Sequence, residues 1–321
     1  MNNSQLSATV VICTYNGSQR IRGVICALGI QTARCGTWEL LVIDNASTDN
    51  TRAVCENAFE GLQGVASRVV VESRPGLSFA RARAATEARG PLLLFLDDDN
   101  IPSATWVEAA IEAFSRYPKA GVIGGKVSPR WEIPPTPLAE AVAPFALAIC
   151  DLGDKPILIK AKGGGIVGAG MGVRTDLLRK IFQSEEVAGT VTDRLGENLI
   201  SGGDLAISII ARKMGWECWY VPDLQIEHCL PPQRMTKEYL LRLYEGIGRG
   251  QAAARRLYDW KARTPLQLLI GLKDYLRWHR HRAAYLDQDE IGADSGTKRD
   301  LHELDGRLIY GRSMEALRVR Q

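Results

Sequence analysis

Runs of apolar residues alternate along the first 125 residues with segments whose apolar positions recur every three to four, and short polar turns separate them. The apolar, β-branched run ATVVICT (8–14) predicts a strand. In IRGVICALGIQ, Ile21, Val24, Ile25 and Leu28 fall on one helical face. ELLVIDN (39–45) predicts a second strand ending in Asp44. In STDNTRAVCENAF, Ser47 or Thr48 is placed to cap a helix whose first turn holds Asp49. A third strand RVVVES (68–73), a third helix SFARARAATEA, a fourth strand LLLFLD, a fourth helix ATWVEAAIEAFSRY and a fifth strand AGVIGGKV complete the series. Strands that are apolar throughout belong to parallel sheets covered on both faces, and the β-α alternation predicts a doubly wound α/β architecture.

Beyond residue 126 this regularity ends. SPRWEIPPTP reads as a proline-rich loop, AKGGGIVGAGMGVR (161–174) as a glycine-rich segment, and TDLLRKIF as a short helix. QSEEVAGTVTDRLGENLISGG is polar and expected to be mobile. DLAISIIARKMG predicts an amphipathic helix closed by Gly215, and WECWYVP a strand. From Thr236 the chain reads as mostly helical, with a charged tail over 286–321.

Composition narrows the class. At 321 residues, 45% hydrophobic and 24% charged, the chain is an ordinary globular protein of one large domain with extensions, or two. A net charge of +3 gives no reason to expect a nucleic-acid partner. The seven cysteines, at 13, 26, 35, 55, 150, 218 and 229, form neither a C-x-x-C pair nor a regular framework, which favours a reducing compartment. MNNSQLSATVVICTYN has no basic n-region or cleavage site, and LAEAVAPFALAIC is too short to span a bilayer. The expected location is the cytoplasm, either free or peripheral on the cytoplasmic face of a membrane.

Ligands of open parallel sheets bind beyond the carboxyl ends of the strands. There the sequence places Thr14, Tyr15 and Asn16, then Asp44 and Asn45, then Arg74, Pro75 and Gly76, and finally Asp97, Asp98 and Asp99. Any one such turn is explained by capping. Aspartates closing two strands, one of them a cluster of three, point to a site. Carboxylates suit Mg2+ or Mn2+, which pair one or two of them with substrate phosphates. Ile101 and Pro102 exclude an EF-hand loop, no P-loop pattern occurs, and CTYNGSQR is not a dinucleotide-binding turn. A metal-bridged diphosphate, held without a P-loop, remains.

VVICTYNGSQRI, LLVIDNASTDNT, GLSFARARAATEARGPLLLFLDDDNIP and GGDLAISIIARKMG, in this order and spacing, resemble family 2 glycosyltransferases. The resemblance covers roughly residues 8 to 250. It implies the GT-A fold: a doubly wound, mostly parallel α/β sheet with a Rossmann-like nucleotide-sugar-binding half (1–126), an acceptor-binding half of the same domain (127–235) and a C-terminal helical extension (236–321). It further implies an inverting transfer of sugar from a nucleoside-diphosphate donor, UDP-linked by expectation, to a saccharide or lipid-linked hydroxyl in surface polysaccharide synthesis, with a divalent cation.

Residue by residue, the resemblance places Thr14, Tyr15 and Asn16 against the nucleotide and Asp44 against the base, consistent with uracil N3–H. Arg81 falls near base and diphosphate, although Ala82 stands where the family often has Asn. Asp97 and Asp99 form the D-x-D pair, with Asp99 as the metal ligand and Asp97 nearer the ribose. Asp98 is the x position. Strand alternation points it to the opposite face, as a solvated or capping carboxylate if not a site residue. Asp204 is the general base, although Gly203 holds the place of the family's preceding glutamate, and helix capping is its alternative role. His228 approaches metal or diphosphate, or is structural, and Arg234 faces phosphates. Gly168, Ala169 and Gly170 let backbone approach the donor sugar, or are simply flexible turns.

TPLQLLIGLKDYLRWHRHRAAY (264–285) gathers Leu268, Leu272, Tyr275, Leu276, His279 and Ala283 on one face of a basic helix. Such a helix packs on the catalytic domain, on another copy in a homo-oligomer, or in a membrane interface. Two other functional classes compete. A nucleotidyltransferase needs a GxGxR loop after strand one, which TYNGSQR is not. A catalytically silent sugar-nucleotide-binding or scaffold subunit is kept open by Gly203 and Ala82.

Overall fold

The computed structural model describes residues 6–33, 37–160, 164–184, 199–258 and 295–318. The predicted helix over 264–285 lies outside the described residues, as does most of the polar stretch, over 185–198. Strand β1 (Ala8–Thr14) pairs in parallel with β2 (Trp38–Asp44) and β4 (Leu92–Asp97), and β2 pairs in parallel with β3 (Ala66–Val71). Helices α1 (Ile21–Leu28), α2 (Thr51–Ala58), α3 (Leu77–Glu87) and α4 (Trp106–Arg116) form where apolar periodicity predicts them. The α2 cap differs from expectation. Asn50 holds the cap position without a side-chain bond, because Ser47 and Thr48 are engaged with the loop after β1.

Uninterrupted apolar strands have two buried faces, and each face meets its own set of helices. Val10, Ile12, Leu40, Val42, Leu94 and Leu96 pack with Ile21, Val24 and Ile25 of α1 and with Trp106 and Val107 of α4. The alternate residues, Val11, Leu41, Ile43, Leu93 and Phe95, pack with Ala80 and Ala84 of α3. The same cluster takes in Leu177, Leu178 and Ile181 of α6 (Thr175–Gln183) and Ile207 of α7 (Gly203–Lys213).

The second half departs from the predicted series. β6 (Ala120–Trp131) does not join β4. The short antiparallel strand β8 (Gly172–Arg174) lies between them, where Gly172 permits the approach: a Cβ there would sit 2.8 Å from Ile123 Cγ1. Residues 128–131, expected as loop, extend β6 alongside β9 (Glu217–Leu230). Two further strands, β5 (Asn100–Pro102) and β7 (Ile157–Leu158), pair antiparallel with β9. Among the described residues the sheet has nine strands, in the order β3-β2-β1-β4-β8-β6-β9-β5, with β7 beside β9.

A third cluster joins α5 (Pro137–Ala146) to α8 (Lys237–Tyr258) and α9 (Ser295–Arg318) through Leu138, Val142, Leu240, Leu243 and Leu304. Much of the expected charged tail is therefore a packed helix. Leu301, Leu304 and Leu308 give it an apolar stripe, and Asp300 and Glu303 pair with Lys237 at 2.6 and 2.9 Å. Among the described residues no helix is long and apolar enough to cross a membrane, and no disulfide links the cysteines.

Candidate active site

The register sets Thr14 opposite Asp44 and Cys13 opposite Asp97, so β1, β2 and β4 end at one level. A cleft of about 610 Å³ opens beyond those ends. On its first side, turns are tied to turns. Asn16 adopts φ +48°, a left-handed conformation that asparagine tolerates, and its Oδ1 accepts the Thr48 N–H at 2.8 Å. The Asn16 N–H donates to Ser47 Oγ at 3.0 Å. Asn45 Oδ1 accepts the Gly76 N–H at 2.8 Å, and its Nδ2 donates to the Arg74 carbonyl at 2.7 Å.

The three aspartates have three environments. β4 ends at Asp97, so strand alternation does not extend to Asp98, which sits in the turn. Its side chain points into the cleft wall rather than to the opposite face. Asp98 Oδ2 accepts from Thr14 Oγ1 at 2.6 Å and Arg20 Nη2 at 2.9 Å, while Oδ1 accepts from Arg20 Nε at 3.0 Å. The hydrogen bond to Asp98 raises the Arg20 pKa against the cost of burial. Gly17 is required beside this triad, since a Cβ there would collide with Thr14 Oγ1 and Asp98 Oδ2. Asp97 lines the cleft, and its backbone N–H donates to Asn100 Oδ1 at 3.1 Å.

Asp99 meets the far end of the chain. β5 sets Asn100 opposite His228, and the Cys229 N–H donates to the Asp99 carbonyl at 2.9 Å. His228 Nδ1 lies 2.8 Å from the Leu147 carbonyl, which only accepts, and Nε2 lies 2.7 Å from Arg234 Nη1, which only donates. The partners therefore place the ring proton on Nδ1 and the lone pair on Nε2. Arg234 Nη2 donates to Asp99 Oδ2 at 2.7 Å, and His228 Nε2 stands 3.6 Å from Asp99 Oδ1. Burial opposes the Arg234 charge, but Asp99, Tyr239, Asp97 and Asp98 outweigh it and raise its pKa.

Across the cleft, Asp204 lies in the first turn of α7, whose cap position is Gly202 without a side-chain bond. Asp204 is thus not the N-cap. Its Oδ2 accepts the Gly168 N–H and its Oδ1 the Leu205 N–H, both at 2.8 Å. Gly168 is held between two charged groups: a Cβ there would sit 2.9 Å from Arg81 Nη2 and 3.3 Å from Asp204 Oδ2. Buried Arg81 also lies with its guanidinium carbon 5.9 Å from the centre of the Phe95 ring.

The family model for glycosyl transferase family 2 matches residues 9–182, more than half of the chain. The chain belongs to this family. Glycosyltransferase AglE of Haloferax volcanii is 28% identical over 122 residues, 37% of this chain and 38% of that protein. The putative teichuronic acid biosynthesis glycosyltransferase TuaG of Bacillus subtilis is 28% identical over 100 residues, 31% of this chain and 38% of the relative. The matches thus span little more than a third of these curated relatives. The mannosyltransferase PcManGT from Pyrobaculum calidifontis, solved with GDP-Man and Mn2+, superposes with a TM-score of 0.62 at 17% identity, covering 98% of this chain and 88% of that one. S. aureus TarS 1–349, solved with UDP, gives 0.52 at 15% identity over 98% and 92%. These likenesses establish the GT-A fold for this family 2 chain.

Of the residues that the family 2 resemblance singles out, Thr14, Tyr15, Arg81, Asp97, Asp98, Asp99, Gly168, Ala169, Asp204, His228 and Arg234 line the one cleft. Asn16, Asp44 and Gly170 do not. Asn16 is turned to Thr48, buried Asp44 accepts the Ser47 N–H at 3.1 Å, and Gly170, at φ +72°, faces Ile226. Arg20 was not singled out by sequence. Its signal was a cation in the loop directly after β1. The Leu147 carbonyl that orients His228 carries no side-chain signal at all.

Proposed function

We propose that this family 2 chain is an inverting glycosyltransferase that moves a sugar from a nucleoside-diphosphate donor to an acceptor hydroxyl. The observation that carries the reading is one cleft lined both by the Asp97–Asp99 cluster and by Asp204, whose carboxylate is aimed by the Gly168 and Leu205 N–H groups. In the reaction the acceptor hydroxyl gives its proton to Asp204. Its oxygen bonds to the anomeric carbon, and the bond from that carbon to the phosphate oxygen breaks. The electron pair leaves with the nucleoside diphosphate. Asp97 serves the ribose, Arg81 and Arg234 the diphosphate, and Tyr15, exposed at the lip, the base. UDP is the expected nucleotide, with GDP the alternative; the solved neighbours hold UDP or GDP-Man. A saccharide or lipid-linked acceptor in polysaccharide assembly fits the name of the relative TuaG, a putative teichuronic acid biosynthesis glycosyltransferase.

A divalent cation fits the donor set. Two ligands about 2.1 Å from one ion lie between about 3.0 and 4.2 Å apart as their angle opens from square to linear. The 3.6 Å between His228 Nε2 and Asp99 Oδ1 falls inside that range. The Leu147 carbonyl fixes the imidazole in the way that orients metal-ligating histidines. Asp99 and His228, with Asp97 nearby, would hold Mn2+ or Mg2+, which would stabilise negative charge on the leaving diphosphate. Among the described residues no three such side chains converge on one point, so donor phosphates would complete the coordination.

Calorimetry with UDP or GDP in the presence of Mn2+ tests the reading. Metal-dependent binding of one nucleotide is expected, weakened at least about 10-fold in Asp99→Ala. No binding of either would remove the donor assignment. Gly203, in place of the family's acidic residue, favours a second reading, a silent sugar-nucleotide-binding subunit of an assembly complex. Binding without transfer from any nucleotide sugar screened would select it.

A further inference from the structure

Arg234 occupies a place that its proposed role toward the diphosphate does not explain. Its guanidinium fork closes simultaneously on Asp99 Oδ2 and His228 Nε2, each at 2.7 Å. These are the two atoms' groups that face a shared cation position, and the His228 lone pair is consumed by the arginine. A divalent ion and the guanidinium cannot both hold His228, because both need the one Nε2 lone pair. Nor does withdrawal into the cleft by itself relieve the guanidinium. Arg20 stands on the same aspartate cluster, and its charge and that of Arg234 already oppose each other.

A diphosphate changes that balance. It offers the displaced guanidinium the bidentate oxygen partner that arginine matches best, and it offers the metal its remaining ligands. Arg234 is placed for the exchange. It stems from a single 3-10 turn, Pro232–Met235, after β9, and its side chain is one-fifth exposed toward the cleft. A rotamer change moves the charge without moving the strand that carries His228.

We propose that Arg234 is a built-in counter-cation that occupies the Asp99–His228 notch until a donor diphosphate draws it away, so that metal and nucleotide bind as one cooperative unit. This rests on the donor reading above. It implies reciprocal coupling: the nucleotide tightens the metal by the factor with which the metal tightens the nucleotide. Without the arginine the notch is open, and the metal no longer waits for the nucleotide.

The test measures Mn2+ binding to the whole chain from the spin-resonance signal of the free ion, with and without UDP or GDP. In wild type, Mn2+ alone is expected to bind weakly, and the nucleotide to tighten it about 10-fold or more. In Arg234→Gln, Mn2+ alone is expected to bind about 10-fold tighter than in wild type, with the nucleotide effect falling toward unity. Adding His228→Ala to that variant should erase the gain. Unchanged or weaker Mn2+ binding in Arg234→Gln, with the thermal midpoint retained, overturns the proposal while metal-dependent nucleotide binding in wild type still upholds the donor reading. Tighter Mn2+ in the variant with no nucleotide binding in wild type does the reverse: the notch stands and the donor reading fails. If Arg234→Gln does not fold, Arg234→Lys carries the test. A single ammonium fits the fork's two partners less well, so Mn2+ alone should bind at least about 3-fold tighter than in wild type, and no gain overturns the proposal.

Discussion

On the β1–β2–β3 side of the cleft, neighbouring turns lock one another: Asn16 with Ser47 and Thr48, Asn45 with Gly76, and Arg74 with Glu72. The opposite side is closed by groups from Leu147, Gly168, Asp204, His228 and Arg234, brought together by strand register and helix packing. The first wall is local and self-sufficient. The second stands only if distant elements hold their places. Damage to the first wall should therefore stay local, whereas the second couples chemistry to packing.

The largest effect is expected where the second wall meets the reaction. Asp204→Asn keeps the size of the side chain and one good acceptor for a backbone N–H, but it removes the proton acceptor. Transfer should fall by about 10²–10⁴-fold, the usual worth of a general base, with nucleotide affinity in the presence of Mn2+ held within about 3-fold. Steady-state turnover beside calorimetry separates the two quantities. Turnover kept within about 10-fold of wild type would place the base elsewhere.

The two walls also differ in how far they could be read from the chain. Each residue of the first wall follows directly on an apolar strand, so position along the sequence is nearly position in space. That order yields Thr14, Tyr15 and the aspartate cluster. It also names Asn16 and Asp44, whose side chains bond within the turns and do not line the cleft. The second wall depends on β9 continuing through Pro222 to Leu230. A proline invites an early stop, yet Leu224, Ile226, His228 and Leu230 are buried while Asp223, Gln225 and Glu227 are exposed. That period of two was the legible signal of an extended strand, and it puts His228 on the inner face. The register that lays His228 beside Asp99, and the insertion of β8 between β4 and β6, leave no trace in periodicity.

A packing change far from the chemistry should come next in size. α8 carries Gly246, Gly248 and Gly250, which lie against other backbone: a Cβ on Gly246 would overlap the Leu199 carbonyl, on Gly248 that of Leu308, and on Gly250 that of Ser201. Ile200 and Ser201 line the cleft just ahead of α7, so α8 is the support behind Asp204. Gly250→Ala meets backbone, which cannot rotate away as a side chain would. A loss of about 1–3 kcal/mol is expected from overpacking, read as a lower thermal midpoint, together with slower transfer. By contrast Arg52→Ala, in the exposed Arg52–Glu56 pair of α2, should leave both unchanged.

The smallest effect tests the self-sufficiency of the first wall through pH. Asp49 Oδ2 accepts the Ser18 N–H at 3.2 Å, and its Oδ1 accepts both the N–H and the hydroxyl of Thr51. Thr51 Oγ1 in turn accepts the Gly17 N–H at 2.8 Å, so one carboxylate ties the loop after β1 to the start of α2. Desolvation opposes ionisation, but the Thr51 and Ser18 hydrogen bonds together outweigh it and lower the Asp49 pKa from 3.8 to about 2. A folded-state pKa below the unfolded one gives stability that is present above the unfolded value and lost as pH falls through the folded one. Asp49→Asn should therefore be less stable than wild type at pH 5, and the difference should fade between pH 4 and pH 2. Because Asp49 is exposed, solvent screening holds the contribution to about 0.5 kcal/mol, within reach of urea denaturation at matched pH values. A difference that persists unchanged at pH 2 would show that the side chain acts by shape and not by charge. A difference of several kcal/mol would show that the first wall is not local, and that the contrast between the two sides of the cleft fails.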